Sequence, residues 1–334
     1  MAITYRLQQI AHGLALLSAC ALSACSGGSS DQLQSAPVIN PPASPAPPPP
    51  TPLSETDVVY GQGLLQSGTK DLLLDVYQPG GACTELRPFV IGIHGGGFVG
   101  GSKSSQSWID NMDAVAERGF VGLSIDYRLV GDAPSITNEF APVLDDFLAE
   151  ADRLNLPSEQ RDVLRAAVAA FEDTVMAIRW AEANAEERCL DIERFAIWGS
   201  SAGAITTLHV GHGLDEYGID RPDPLVLVDY WGGLLLDGLV DANGPPFMIV
   251  HGTNDRTVVY EENAVPLAAE ADAAGLPYAF YTMQDAPHGF RAIDPAFYRI
   301  DGEAPRDVTV TFIEDHLTNG SPLYDIRTII PMAL

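Results

Sequence analysis

The chain has 334 residues, 46% of them hydrophobic, and carries 45 acidic against 18 basic side chains for a net charge of −27. That length and apolar content suffice for one large domain with a substantial core. Lysine occurs only at Lys70 and Lys103, and so acidic a surface repels nucleic acid and anionic lipid headgroups, which excludes both as expected ligands.

In chain order, residues 1–25 read as an export signal. Arg6 is the only firm positive charge, and a short apolar stretch runs from about Ile10 to Leu22-Ser23-Ala24-Cys25. This ending resembles the lipobox of bacterial lipoproteins, which implies that Cys25 is lipidated and becomes the mature N-terminus. The same four residue types stand at Leu17 to Cys20. Cys25 is preferred because it leaves the longer apolar region and is followed at once by Ser-Gly-Gly-Ser-Ser. The segment is too short to span a bilayer as a helix, so the alternative is a secretory peptide cut without lipidation. One modified N-terminus would tether an otherwise soluble protein. Ser26 resembles the outer-membrane sorting pattern, so the outer membrane, on its periplasmic or surface face, is the expected location; a soluble periplasmic or secreted protein is the alternative. Residues 26–54 include the run from Ser35 to Pro52, rich in proline and without apolar periodicity, and read as a stiff extended spacer. The folded domain is expected over residues 55–318, with 319–334 as a C-terminal tail. The remaining cysteines, Cys83 and Cys189, are expected to pair in an exported protein.

Within the domain, short apolar runs alternate with helical patterns. Leu72 to Pro79 reads as a strand closed by a Pro-Gly turn, and the run from Pro88 is continuously apolar, as a buried parallel strand should be. Ile109 to Arg118 reads as a helix with Gly119 past its end, and Phe120 to Leu129 as the next strand. After Ser158 as cap, Leu164, Val168, Phe171, Val175 and Ile178 recur at spacings of four and three and mark one helix face. Further strands are expected at Arg194 to Gly199, Leu225 to Trp231, Pro245 to Gly252 and Tyr278 to Met283. Helices are expected after Gly199, over Ala264 to Ala274 and near Asp307 to Leu317. This alternation predicts an α/β domain with a mostly parallel sheet covered on both faces. Residues 130–157 interrupt the rhythm with an extra helical segment and are expected to form a lid.

Two motifs carry chemistry. Gly199-Ser200-Ser201-Ala202-Gly203 matches G-x-S-x-G at a strand-to-helix junction, where a sharp turn holds a serine oxygen at a helix N-terminus and lets the Ala202 amide face a developing oxyanion. His94-Gly95-Gly96-Gly97 ends a buried strand, and its glycines allow backbone N–H groups to converge on one oxygen. Together they resemble the α/β-hydrolases of the hormone-sensitive-lipase-like and bacterial carboxylesterase branch. The resemblance runs over about Val58 to Leu317, through Leu72 to Pro79, Asp126-Tyr127-Arg128-Leu129 and Ala286-Pro287-His288-Gly289-Phe290 in the expected order.

A serine needs a base, and the base an orienting carboxylate. The resemblance implies the order serine, carboxylate, histidine. Asp255 and His288 follow Ser201 in loops at the carboxyl ends of predicted strands, where open α/β sheets build their sites. Ser201 is thus the expected nucleophile, Asp255 the orienting acid and His288 the general base. Gly96, Gly97 and Ala202 are the expected oxyanion donors. Among rivals, His94 is expected to brace its loop and His251 to be structural. Asp285 is the second choice for the acid. His209, His212 and Asp215 at helical spacing are read as packing or capping and not as a metal face, and His316 is expected to face solvent. Ser200 and Ala204 stand where the family has Asp and Gly, and Val130-Gly131-Asp132 where it has Ala-Pro-Glu. No helical cap precedes the first strand, so the 130–157 insertion is expected to do the cap's work.

The resemblance also implies that the strands holding Val90 and Ala196 are neighbours. Cys83 and Cys189, each about six residues ahead of them, would then lie side by side and form a disulfide away from the site. The expected function is a serine carboxylesterase working through an acyl-enzyme on short-acyl esters, on a small-molecule or glycan-linked substrate, with no cofactor or metal required. An amidase or formamidase on the same scaffold is the alternative, and an inactive surface binding module a more remote one. Phe98, Trp231 and Phe290 flank the motifs and suit either an acyl pocket or the core.

Overall fold

The computed structural model describes residues 53–322, 324 and 326–333. The export signal, Cys25 and all of the spacer before residue 53 lie outside the described residues.

The elements begin with β1 (Leu53–Leu64), β2 (Thr69–Gln78), β3 (Arg87–Ile93), α1 (Gln106–Glu117) and β4 (Val121–Ile125). α2 (Ala141–Arg153), α3 (Ser158–Ala183), the single turn α4 (Ala185–Arg188), β5 (Leu190–Ser200) and α5 (Ala202–His212) follow. The chain continues through β6 (Val226–Tyr230), β7 (Phe247–Gly252), α6 (Ala264–Ala274), β8 (Tyr278–Met283), α7 (Pro305–Leu317) and β9 (Ile326–Ile330). The strands form one sheet in the order β1-β2-β4-β3-β5-β6-β7-β8-β9. β1 and β2 run antiparallel to their neighbours; from β4 to β9 every pairing is parallel. The helix crossovers make this arrangement possible and put apolar cover on both faces.

Strand alternation divides the core in two. In β5, Phe195 and Ile197 belong to the cluster under α2, α3, α5 and α6, whereas Ala196 and Trp198 belong to the cluster under α1 and α7. β3 splits the same way, with Phe89, Ile91 and Ile93 on the first face and Val90 on the second. Burial on both faces explains why these strands read as unbroken apolar runs. Phe89 and Phe195, paired across β3 and β5, stack with centroids 4.9 Å apart. The pairing also carries the starts of the two strands together: the Arg87 amide donates to the Cys189 carbonyl at 2.9 Å, and Cys83 and Cys189 form a disulfide with Cα atoms 5.9 Å apart.

Four differences from the expected layout have physical reasons. β1 begins at Leu53, inside the expected spacer; register shifts between Glu55 and Val58 and between Val59 and Gly61 break its period of two. The expected tail contains β9, which adds to the sheet in parallel beside β8 and, as an edge strand, leaves Ile329 exposed. Pro157, and not Ser158, occupies the cap position of α3; Ser158 is its first helical residue. Finally, α2 is a packed helix where a hinged lid was expected. Val143, Leu144, Phe147 and Ala151 are buried in the first core, and Phe147 meets the rings of Phe171 and His209. An amphipathic face of that width must be covered. The ends of the 130–157 insertion reach the loop after β3. The Val130 amide donates to the Phe98 carbonyl at 2.8 Å, and Val99, Val130, Pro157 and Val163 share a cavity of about 330 Å³.

Candidate active site

Ser201 is the one residue between β5 and α5, and its backbone is held at φ 54 and ψ −120. A non-glycine residue in that region is strained. The surroundings impose the turn. The Ser201 amide donates to the Tyr230 carbonyl at 2.8 Å, and its own carbonyl takes the Ile205 amide at 2.9 Å. The small residues of the motif answer a close approach. A Cβ on Gly203 would stand 2.0 Å from the Ile93 oxygen, so only glycine lets the first turn of α5 lie on the end of β3.

The His94–Gly97 loop leaves β3 at that contact. Gly96 turns at φ 121, and its carbonyl takes the amides of Val99 and Gly100. A Cβ on Gly95 would come within 3.0 Å of the Ser201 Cβ, so this loop backs directly onto the serine. Among the described residues, no acceptor takes the amides of Gly96, Gly97 or Ala202. The Ala202 amide opens α5 next to the serine, and the loop holding Gly96 and Gly97 backs onto it through Gly95, an arrangement suited to a developing oxyanion.

The loop is braced from behind. His94 sets Nδ1 2.7 Å from the Gly95 oxygen and Nε2 3.3 Å from Asp126, while Tyr127 stacks on its ring and donates to its carbonyl at 2.9 Å. Next along, Arg128 is wholly buried. It pairs with Asp173 at 2.9 Å and Glu172 at 2.7 Å and donates to the carbonyls of Leu64 and Ser135. Breaking one partner of a buried set like this costs about 3–5 kcal/mol, so the segment after β4 is a rigid back wall. Its role was not apparent in the sequence, where Asp126 to Leu129 served only as a landmark.

His288 and Asp255 complete the site from the loops after β8 and β7. His288 Nε2 lies 2.9 Å from Ser201 Oγ, and His288 Nδ1 lies 2.6 Å from Asp255 Oδ2. Asp255 Oδ1 accepts the amides of Thr257 at 2.8 Å and Val258 at 2.9 Å, which fixes the carboxylate plane. Burial alone raises the pKa of this carboxyl, but hydrogen bonds and charge from His251 and His288 outweigh it and hold Asp255 well below the usual carboxylate range. It is therefore an anion whenever His288 needs an acceptor. The three side chains nominated from the sequence thus meet in the geometry of a nucleophile, a base and an orienting acid.

The chain has the α/β-hydrolase fold. The solved esterase 2 of Thermogutta terrifontis phosphorylated by paraoxon aligns over 80% of this chain and 93% of its own, at 21% identity and a TM-score of 0.55. The same esterase with propionate bound aligns over 81% and 96%, at 22% identity and 0.55. A truncated carbohydrate esterase from gut microbiota aligns over 80% and 96%, at 19% identity and 0.57. Residues 74–160 match the BD-FAE family. No curated protein matches the chain.

Within this hydrolase fold the rival residues find other roles. Asp285 is exposed on the turn before His288, where its amide is held by Thr253 Oγ1. His209 is buried, stacked on Phe171 at 4.8 Å and bonded to the Ile205 carbonyl, and burial pushes it down to about 4. His212, on the same helix, is buried too. His316 does not face solvent as expected: it is half-buried, bonds the Phe312 carbonyl at 2.8 Å and packs on the Phe312 ring. Phe98 and Trp231 are core residues. Phe290 stacks edge-on against Trp231 at 5.2 Å and forms a wall of a cavity of about 760 Å³ with Ser107, Phe297 and Arg306.

Proposed function

We propose that this protein is a carboxylic ester hydrolase, probed best with short-acyl esters, in which Ser201, His288 and Asp255 form the catalytic triad. The observation that carries the reading is the unbroken line of hydrogen-bond contacts from Ser201 Oγ through both ring nitrogens of His288 to the buried Asp255 carboxylate. His288 takes the Ser201 proton as Oγ attacks the ester carbonyl, and the Asp255 anion stabilises the imidazolium that results. The amides of Gly96, Gly97 and Ala202 receive the oxyanion of the tetrahedral intermediate. Its collapse breaks the carbonyl-carbon-to-alkoxy bond, and the alcohol leaves with the proton from His288. Water, deprotonated by His288, then hydrolyses the acyl-Ser201 ester and releases the acid. Propionate bound in the Thermogutta terrifontis esterase supports a short acyl group. Lipidation at Cys25, with residues 26–52 as spacer, would hold the domain at the outer membrane; the Leu22 to Cys25 sequence supports that part of the reading.

The test is hydrolysis of p-nitrophenyl acetate, butyrate, octanoate and palmitate beside Ser201→Ala, together with mass mapping after paraoxon treatment. The expected result is saturable activity favouring the shorter esters, a fall of roughly 10⁴-fold or more in Ser201→Ala, and a phosphoryl adduct on Ser201. A folded wild type that is inert on all four esters and unmodified by paraoxon overturns the reading.

A further inference from the structure

A second histidine stands behind the triad carboxylate. His251 is fully buried near the end of β7, four residues before Asp255, and its Nε2 lies 2.7 Å from the Val258 oxygen and 3.3 Å from Asp255 Oδ2. Both neighbours are acceptors, so this nitrogen must carry the hydrogen, and it shares that hydrogen between them. Asp255 Oδ2 thus faces one imidazole on each side: His288, which reaches Ser201, and His251, which does not.

The other side of the His251 ring also carries information. Nδ1 is buried and has no hydrogen-bond partner among the described residues; nor has Oδ2 of Asp229, which is also fully buried. Asp229 pairs in register with Ile249, two residues before His251, so alternation along β6 and β7 puts both side chains on the same face of the sheet. Asp229 Oδ1 is held by the Gly232 amide at 2.7 Å. Burial pushes the Asp229 carboxyl up to about 6, against the pull of His251. Among the described residues, the charged and titratable groups against His251 are Asp255 from the loop after β7, Asp229 from β6, and Tyr260, whose ring centroid is 5.8 Å away; His288, from the loop after β8, lies on the other side of Asp255.

On the reading of Ser201, His288 and Asp255 as a triad, we propose that His251 is a positioning residue for it: a second N–H donor that holds the Asp255 carboxylate in plane and moderates its basicity, its hydrogen kept on Nε2 by the two acceptors, the Val258 carbonyl and Asp255 Oδ2, that face that nitrogen. The chemical consequence follows from the shared oxygen. With His251 donating, Oδ2 has less electron density to offer His288, and the carboxylate does not rotate when His288 becomes charged. Without it, Asp255 grips the protonated His288 more tightly, and the inactive protonated form persists to higher pH.

The experiment measures kcat, KM and the pH profile of kcat/KM on p-nitrophenyl butyrate for the full chain and for His251→Phe, His251→Leu and His251→Gln, each with a thermal melt. His251→Phe is expected to lose about tenfold or more in kcat at an unchanged KM, and its acid limb should move up by about half a pH unit. His251→Gln restores an N–H donor and should recover most of both. A cooperatively folded His251→Phe with wild-type kcat and pH profile overturns the proposal. So does an equal loss in His251→Gln with no shift of the limb, which marks a purely structural residue. Should His251→Phe not fold, His251→Leu takes its place, and the same outcomes support or overturn the proposal. A wild type without activity removes the triad reading and the proposal together, whereas an active wild type indifferent to His251 removes only the proposal.

Discussion

Gly203 and Ile93 meet backbone to backbone, with room for no side chain between them: a Cβ on Gly203 would fall 2.0 Å from the Ile93 oxygen and 2.7 Å from that of His94. This contact joins the helix that starts after the serine to the strand that delivers the glycine loop, so the proposed nucleophile and the proposed oxyanion donors are held as one unit. Gly203→Ala must push the two apart. Overpacking of this kind costs about 1–3 kcal/mol, and a displacement of even about 1 Å at the reacting atoms is worth about 100-fold in rate. The expected outcome is a variant that still folds, melts lower and loses more in kcat than in KM. Steady-state kinetics and a melt on the same preparation check it, and unchanged kcat would show that the loop tolerates the shift.

The disulfide lies at the other end of the same strands. Cys189 immediately precedes β5, whereas Ser201 follows its last residue, and Cys83 lies just before β3. The bond spans 106 residues of sequence, so it restricts the unfolded chain strongly and is worth about 2–4 kcal/mol. Cys83→Ala with Cys189→Ala should therefore lower the midpoint of denaturant unfolding while leaving kcat and KM of the folded enzyme within about twofold. A selective loss of activity would mean that the strand starts influence the site.

Acid stability isolates His209. Its ordinary pKa of 6.5 falls to about 4 in the fold because burial disfavours the charged ring. Between those values the unfolded chain binds a proton that the folded chain does not, so this histidine costs stability as pH falls from 6.5 to about 4 and adds nothing further below. The cost amounts to at most about 3 kcal/mol. Buried Asp173 and Asp229, both pushed up to about 6, act in the opposite sense as pH falls from 6 to 3.8. The informative quantity is thus the difference between two unfolding curves. His209→Phe keeps a ring stacked on Phe171 and should lose less stability than wild type between pH 6.5 and 4.5. Parallel curves for the two proteins would refute the assignment.

The layered α/β architecture was legible in the residues alone, as were Ser201, Asp255 and His288, which the structure brings into contact. Runs such as Pro88 to Ile93 are apolar because both faces of their strands are covered, and that requirement is visible residue by residue. The glycines around Ser201 and after His94 are equally local signals, since sharp turns and close backbone approach admit few alternatives. β1 and β9 were harder to see, because bulges interrupt the alternation of one and the other is a short edge strand whose burial depends on a neighbour far away in sequence. The helix α2 within the 130–157 insertion lays its apolar face on α3, a match that periodicity alone does not reveal. Among the seven histidines, the motif order singled out His288. Only the tertiary structure set His251 against the far side of the same carboxylate, with Asp229 behind it. Those three residues come from β6, β7 and the loop that follows, and their meeting depends on sheet register and side-chain direction, which exist only once the strands are paired.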